Sequence, residues 1–183
     1  MPIQTPICDF GQKAHDFKLK STDNKIISLE DVMGENGTLI MFICNHCPYV
    51  KAIAERLSAD TKTLKKIDIG VIAIMSNDPQ HNAEDSFENM SIFAQNHDFT
   101  FPYVIDETQN VARAYDAVCT PDFFGFNQDL ELQYRGRLDG SGRMPSSGNS
   151  RRELVEAMVK ISETGKGPTE QIPSMGCSIK WLP

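Results

Sequence analysis

Two cysteines separated by two residues, where a hydrophobic strand gives way to a helix, constrain this chain more than any other feature. The run Thr38-Leu39-Ile40-Met41-Phe42-Ile43 is β-branched and aromatic enough to read as a buried central strand. It leads into Cys44-Asn45-His46-Cys47-Pro48, and residues 48–57 then read as a helix with Val50, Ile53, Ala54 and Leu57 on one face. Pro48 falls in the first turn, where its missing N–H is no loss. Unpaired N–H groups and the positive end of the helix dipole meet at such a junction, and both favour a thiolate over a thiol. A cysteine pKa there falls from about 8.5 to roughly 3.5–7.5. A second thiol across the first turn attacks any disulfide that the first one forms. The chemistry this spacing supports is thiol–disulfide exchange.

The remaining chain alternates strands and helices. Residues 16–20 and 26–29 read as two short strands around a polar turn, and Ser28 with Glu30 and Asp31 opens a short helix. Ile69-Gly70-Val71-Ile72-Ala73-Ile74-Met75 is a second buried strand, and the strand–helix–strand order calls for a right-handed crossover into a parallel sheet. Helices follow over residues 86–94 and 109–115, on either side of a short strand over 101–105. Phe123-Phe124-Gly125-Phe126 and residues 130–136, joined by Asn127-Gln128-Asp129, carry a hairpin signal. Residues 140–150 read as a loop, and residues 151–162 as an amphipathic helix with Leu154, Val155, Met158 and Ile161 inward. Residues 1–11 read as an irregular lead-in and residues 167–183 as a tail. The 183 residues suit one α/β domain.

Composition excludes several classes. A formal net charge of -7 and no basic run speak against nucleic acid as a partner. The apolar stretches fall short of the ~20 residues that span a membrane, so none is expected. The N-terminus lacks the basic and long apolar regions of a signal peptide, and five cysteines are too few and too odd for a disulfide scaffold. The expected compartment is the cytoplasm.

This order of elements resembles the thioredoxin fold, in the enlarged form shared by peroxiredoxins and their thioredoxin-like relatives. The resemblance runs from Gly11-Gln12-Lys13-Ala14-His15-Asp16-Phe17, similar to a Gly-x-x-Ala-Pro-x-Phe opening with His15 in the proline's place, through Leu138. Cys44 and Cys47 match the redox pair, and Val118-Cys119-Thr120-Pro121-Asp122-Phe123 matches the loop that carries a cis-proline. The strings around Cys44 and over Gly176-Cys177-Ser178-Ile179-Lys180-Trp181 look like a peroxiredoxin-like thioredoxin subfamily related to alkyl hydroperoxide reductase and thiol-specific antioxidant. The resemblance implies a central mixed β-sheet flanked by helices, with an N-terminal β-hairpin extension. It also implies that Pro121, in cis, presents the Thr120 backbone to an extended substrate strand.

Cys44, nearer the exposed end of the junction, is expected to be the attacking thiolate. Cys47, one turn into the helix and more buried, resolves. His46, just before the second cysteine as in protein disulfide isomerases, stabilises the thiolate and moves the potential from about -270 mV towards -180 mV. Cys119 and Cys177 are candidate accessory thiols: Cys119 reads best as a packing residue, whereas Cys177 is divided between an extra resolving group and packing with Trp181. Cys8 is unassigned. Cys44, His46 and Cys47 are zinc-ligand types, but structural zinc sites draw on two such pairs and no second pair exists, so neither a metal nor a cofactor is expected. The expected partners are a disulfide-containing protein or small molecule and a thioredoxin- or glutathione-type reductant, acting on a monomer or homodimer. The alternative functions are a thiol peroxidase with Cys47 peroxidatic and a non-catalytic redox sensor. Against the peroxidase, Cys44 replaces the Thr that peroxiredoxins carry three residues ahead of that cysteine, and no arginine stands just before the hairpin.

Overall fold

A computed structural model of the chain describes residues 1–146 and 148–183. Strands β1 (Pro2–Gln4), β2 (Lys18–Ser21) and β3 (Ile26–Ser28) precede helix α1 (Leu29–Val32), and β4 (Gly37–Phe42) leads into α2 (Pro48–Lys65). Then come β5 (Ile69–Met75), a 3₁₀ turn at Ala83–Asp85, α3 (Phe87–Asn96), β6 (Tyr103–Ile105) and α4 (Asn110–Ala114). Strands β7 (Cys119–Thr120), β8 (Asp122–Phe126) and β9 (Leu132–Tyr134), helix α5 (Glu153–Thr164) and strand β10 (Met175–Ser178) complete the chain.

Among the described residues, seven strands form a mixed sheet in the order β3-β2-β6-β5-β4-β8-β9. β4 pairs parallel to β5 and antiparallel to β8, so the strand that delivers the cysteines lies in the sheet interior. Every residue of β4 is buried because both sheet faces are covered. Leu39 and Met41 face the cluster formed with α2 and α5, and Ile40 and Phe42 face the cluster that holds Ala112 and Tyr115. α2 presents Val50, Ile53, Ala54 and Leu57 to the first cluster, as its spacing predicts, and α5 adds Leu154, Val155, Met158 and Ile161. Ser28 makes a reciprocal capping box with Asp31 and so fixes the start of α1. β2 and β3 form the expected N-terminal hairpin, and β8 and β9 the second one. No helix among the described residues is long and apolar enough to cross a membrane. Residues 140–146 and 148–150 carry turns, bends and irregular backbone with no helix or strand; Ser147, part of that expected loop, lies outside the described residues.

The ends of the chain depart from expectation. The lead-in and the tail build a second sheet in the order β1-β10-β7. Pro2 lies opposite Cys177, and Cys177 lies opposite Thr120. The tail is therefore a central strand, held on one edge by the N-terminus and on the other by the residues before Pro121. Nothing local in the sequence announces it. β1 has three exposed residues, Gly176-Cys177-Ser178 has no alternation, and the pairing spans almost the whole chain.

Candidate active site

The end of β4, the start of α2, β7 and β10 converge on Thr120. Cys44 Sγ lies 3.3 Å from Thr120 Oγ1, and Cys47 Sγ lies 3.2 Å from the Thr120 carbonyl oxygen, to which a Cys47 thiol donates. The Thr120–Pro121 peptide is cis, as the resemblance implies. Thr120 thus touches both sulfurs, one through its side chain and the other through its backbone.

Two expectations about the pair are corrected. Both cysteines are 0% exposed, so Cys44 is not the more accessible one. Cys47 is the N-cap residue of α2, with Pro48 the first helical residue, rather than one turn inside the helix. Its side chain nevertheless makes no capping hydrogen bond with the N–H groups of the helix start. The proton is unequally shared. The Cys44 hydrogen bond, opposed by burial and joined by bonds from Cys177 and Thr120, draws the Cys47 pKa down from 9.0 to about 4. The Cys44 thiol is pushed far up by the same bond, by burial and by the Asp85 carboxylate.

Burial of the pair comes from segments that read as loop and tail. On the Cys44 side, the 3₁₀ turn carries Asp85, itself 0% exposed. Asp85 Oδ1 accepts the backbone N–H groups of Asn45 (2.8 Å) and His46 (3.1 Å), and Asp85 Oδ2 accepts Asn77 Nδ2 (3.0 Å) and bonds His46 Nδ1. Asn45 is fixed further by the Tyr103 hydroxyl, which donates to its Oδ1 over 2.8 Å. His46 Nδ1 lies 3.7 Å from Cys44 Sγ. Cys44, His46 and Asp85 bring a sulfur, a ring nitrogen and a carboxylate oxygen within 4.8 Å of one another. Because His46 and Asp85 bond each other directly, this cluster is complete as a hydrogen-bond network. Asp85 escapes sequence reasoning because it sits in a polar run. The available signal is the pair of successive caps around it, Asn82 on Glu84 N–H and Ser86 on Asn89 N–H, which mark a tight turn.

On the Cys47 side lies β10. Cys177 packs against the cluster that holds both cysteines, and its proximity helps to hold the Cys47 pKa down. Its own pKa rises to about 11, first from burial and then from donating to Cys47. This strand occupies the Thr120 edge that the resemblance offers to a substrate strand, so that edge is already paired. Cys119 is fully buried, its thiol pointing to the Pro121 carbonyl oxygen over 3.6 Å, and burial followed by the Asp122 charge pushes its pKa up. Cys8 packs with the cluster on the opposite face of the main sheet, and burial raises it to about 11. Arg135 is committed to Asp122, with Nη2 at 3.0 Å from Oδ2. Beside Pro121 opens a cleft of about 320 Å³ lined by Tyr49, Ile53, Phe123, Leu138 and Met175, but by neither Cys44 nor Cys47.

The sequence model of the AhpC/TSA family matches residues 10–135. No curated protein matches the chain. Among solved structures, an uncharacterized conserved protein from Geobacillus kaustophilus is 41% identical with a TM-score of 0.92, over 100% of this chain and 97% of that one. A hypothetical protein from Sinorhizobium meliloti 1021 is 31% identical with a TM-score of 0.88, over 98% of this chain and 97% of that one. Peroxidoxin BcpB from Mycobacterium tuberculosis shares the fold at 15% identity and a TM-score of 0.58, over 84% of this chain and 92% of that one.

Proposed function

We propose, from the premise that this chain belongs to the AhpC/TSA family of thiol-based redox proteins, that it is a thiol–disulfide oxidoreductase working through Cys44 and Cys47. One observation carries the reading: both sulfurs meet at Thr120, within 3.3 Å of its hydroxyl and 3.2 Å of its carbonyl oxygen, beside a cis Pro121. Two thiols held against one residue are placed to form a disulfide with each other.

The balance of acidity favours Cys47, rather than Cys44, as the attacking thiolate. Cys47 is held down first by Cys44 and then by Cys177, whereas Cys44 faces the Asp85 carboxylate. Cys47 attacks a sulfur of the substrate disulfide, one substrate thiolate leaves, and a second protein thiol attacks Cys47 to release the other. In the CxxC reading that thiol is Cys44, which leaves a Cys44–Cys47 disulfide for a thioredoxin- or glutathione-type reductant. His46, held by Asp85, positions the turn between the two cysteines. A thiolate stabilised in the reduced protein makes the disulfide more oxidising, so the potential lies above about -270 mV, towards -180 mV. The substrate is a disulfide in a protein or small molecule. The protein acts in the cytoplasm as one domain over residues 1–183, as a monomer or homodimer.

The test is insulin reduction with dithiothreitol, combined with redox titration against glutathione. Activity is expected in the wild type and lost in Cys44→Ser and in Cys47→Ser; equal turnover by either variant refutes the assignment. The Cys47 cap position also favours a peroxidase reading. Stopped-flow with hydrogen peroxide separates the two, because a rate no faster than a free thiol leaves disulfide exchange alone. A reversible disulfide with no turnover in either assay identifies a redox sensor instead.

A further inference from the structure

We propose that Cys177 is a catalytic third thiol, delivered by the C-terminal strand to resolve mixed disulfides formed on Cys47. The proposal rests on the disulfide-exchange reading above and extends it to a sulfur outside the CxxC pair. Three independent features place Cys177 there. The β10 register sets it opposite Thr120, whose carbonyl oxygen is 3.2 Å from Cys47 Sγ. Its side chain packs, half-buried, against the cluster that holds Cys44 and Cys47. The residue before it is Gly176, where a Cβ would stand 1.8 Å from the Thr120 carbonyl oxygen and 3.0 Å from Pro121 N, so only glycine lets the strand lie this close. The strand is anchored on both sides: Thr5 N–H donates to the Ser174 carbonyl (3.0 Å), Ser174 Oγ donates to the Pro121 carbonyl (2.8 Å), and Ile179 N–H donates to the Val118 carbonyl (3.1 Å).

Competition between Cys44 and Cys177 turns on what remains once Cys47 is capped. In the reduced site, both thiols are held protonated in part by donating to the Cys47 thiolate. A mixed disulfide removes that charge. Cys44 stays buried beside the Asp85 carboxylate, which opposes its ionisation. Cys177 is partly exposed and has Lys180 and the N-terminal amine nearby, both of which favour its thiolate. Cys177 is thus the better placed nucleophile at that stage.

The electrons balance in two steps. The Cys47 thiolate attacks a disulfide R–S–S–R to give Cys47–S–S–R and RS⁻. The Cys177 thiolate then attacks Cys47 Sγ, giving a Cys47–Cys177 disulfide and a second RS⁻. Two electrons have passed from the protein to the substrate; the proton lost by the Cys177 thiol and one from solvent convert the two RS⁻ to thiols. Cys44 can subsequently displace Cys177 from Cys47 with no net oxidation, forming Cys44–Cys47.

The experiment uses reduced Cys44→Ser protein and glutathione disulfide, with released glutathione counted and thiols mapped by mass spectrometry. Cys44→Ser is expected to release two glutathiones per glutathione disulfide and to carry a Cys47–Cys177 disulfide. Cys44→Ser/Cys177→Ser is expected to release one and retain the other on Cys47. Cys44→Ala, which puts no polar atom in the buried space, repeats the readout if the serine variant fails to fold. Retention of glutathione by the single variant, a Cys47–Cys119 link, or an unmodified Cys47 overturns the proposal. The broader reading is tested separately: wild-type turnover with a Cys44–Cys47 disulfide sustains it even when Cys177 proves idle, and its absence refutes that reading even when Cys177 resolves glutathione.

Discussion

Gly176→Ala isolates the contribution of the docked C-terminal strand without touching a sulfur. The new Cβ would meet the Thr120 carbonyl oxygen at 1.8 Å and the Thr120 carbonyl carbon at 2.5 Å. Both are backbone atoms of a segment paired to β10 itself, so the strand must move instead. Displacement gives up pairing at Cys177–Thr120 and Ser178–Cys119, together with the Ser174–Pro121 hydrogen bond. With about 0.5–1.5 kcal/mol net for each buried hydrogen bond, and about three at stake, the loss is about 2–4 kcal/mol. At roughly 2–4 °C per kcal/mol for a chain of this size, the melting temperature falls by about 4–16 °C. The local effect is sharper. Cys47 loses the neighbouring Cys177 that helps to hold its pKa down, so that pKa climbs from about 4. Differential scanning calorimetry reads the first effect and the pH profile of Cys47 alkylation reads the second. A melting temperature within 1 °C of wild type together with an unchanged alkylation profile would show that β10 neither packs against Thr120 nor supports the thiolate.

Absorbance at 240 nm in the reduced protein should show a thiolate step near pH 4 that is absent in Cys47→Ser. Because that folded pKa lies below the ordinary 9.0, the reduced wild type should gain stability over the variant as pH rises from about 4 to 9, and lose the gain as pH falls through 4. Asp85→Asn turns one acceptor of four bonds into a donor and should lower stability by about 2–3 kcal/mol in urea denaturation. In a Cys47→Ser background it should also make Cys44 alkylate at lower pH, since the Asp85 charge holds that thiol up. Arg135→Met leaves Asp122 buried without its partner and should cost about 3–5 kcal/mol at pH 7. Burial already raises the Asp122 pKa, so this deficit should shrink as pH falls towards the ordinary carboxyl value of 3.8; a pH-independent deficit would assign the loss to packing against Phe124.

What could be read from the sequence follows the range over which each signal acts. β5 lies at residues 69–75, as its unbroken apolar run predicts, and the buried faces of α2 and α5 fall on the predicted residues, because period and hydrophobicity are local properties. The cysteine pair at the junction was legible for the same reason. The relative exposure of Cys44 and Cys47 was not, since it is decided by segments far away in the chain. Asp85 reaches Asn45 and His46 from 39–40 residues downstream, and Cys177 reaches Thr120 through a strand with no pattern of its own. His46 was legible as a polar neighbour of the sulfurs, but not as the partner of a buried carboxylate. Even the exposed Pro2-Ile3-Gln4 segment acquires a structural role only through a strand 173 residues away, as the pairing of Ile3 with Gly176 shows.

Thr120 links these long-range contacts into one electrostatic unit. Its hydroxyl meets Cys44, its carbonyl meets Cys47, and its cross-strand neighbour is Cys177. A thiolate at 0% exposure persists only where donors replace the lost water. At Cys47 the stabilisation comes first from Cys44 and then from Cys177 of the docked tail. The tail therefore does two things with one strand: it stabilises the charge on Cys47 while seated, and it holds a further sulfur where that charge is spent on forming a disulfide. The Asp85 side is tied by hydrogen bonds to a buried carboxylate, at about 1.5–3 kcal/mol each, whereas the β10 side is tied by neutral bonds at about 0.5–1.5 kcal/mol each. A substrate disulfide reaches Cys47 more cheaply by loosening β10 than by breaking the Asp85 turn. Approach of the substrate and withdrawal of the donors are then the same motion, so Cys47 becomes less stabilised as an anion, and more reactive, at the moment a disulfide arrives.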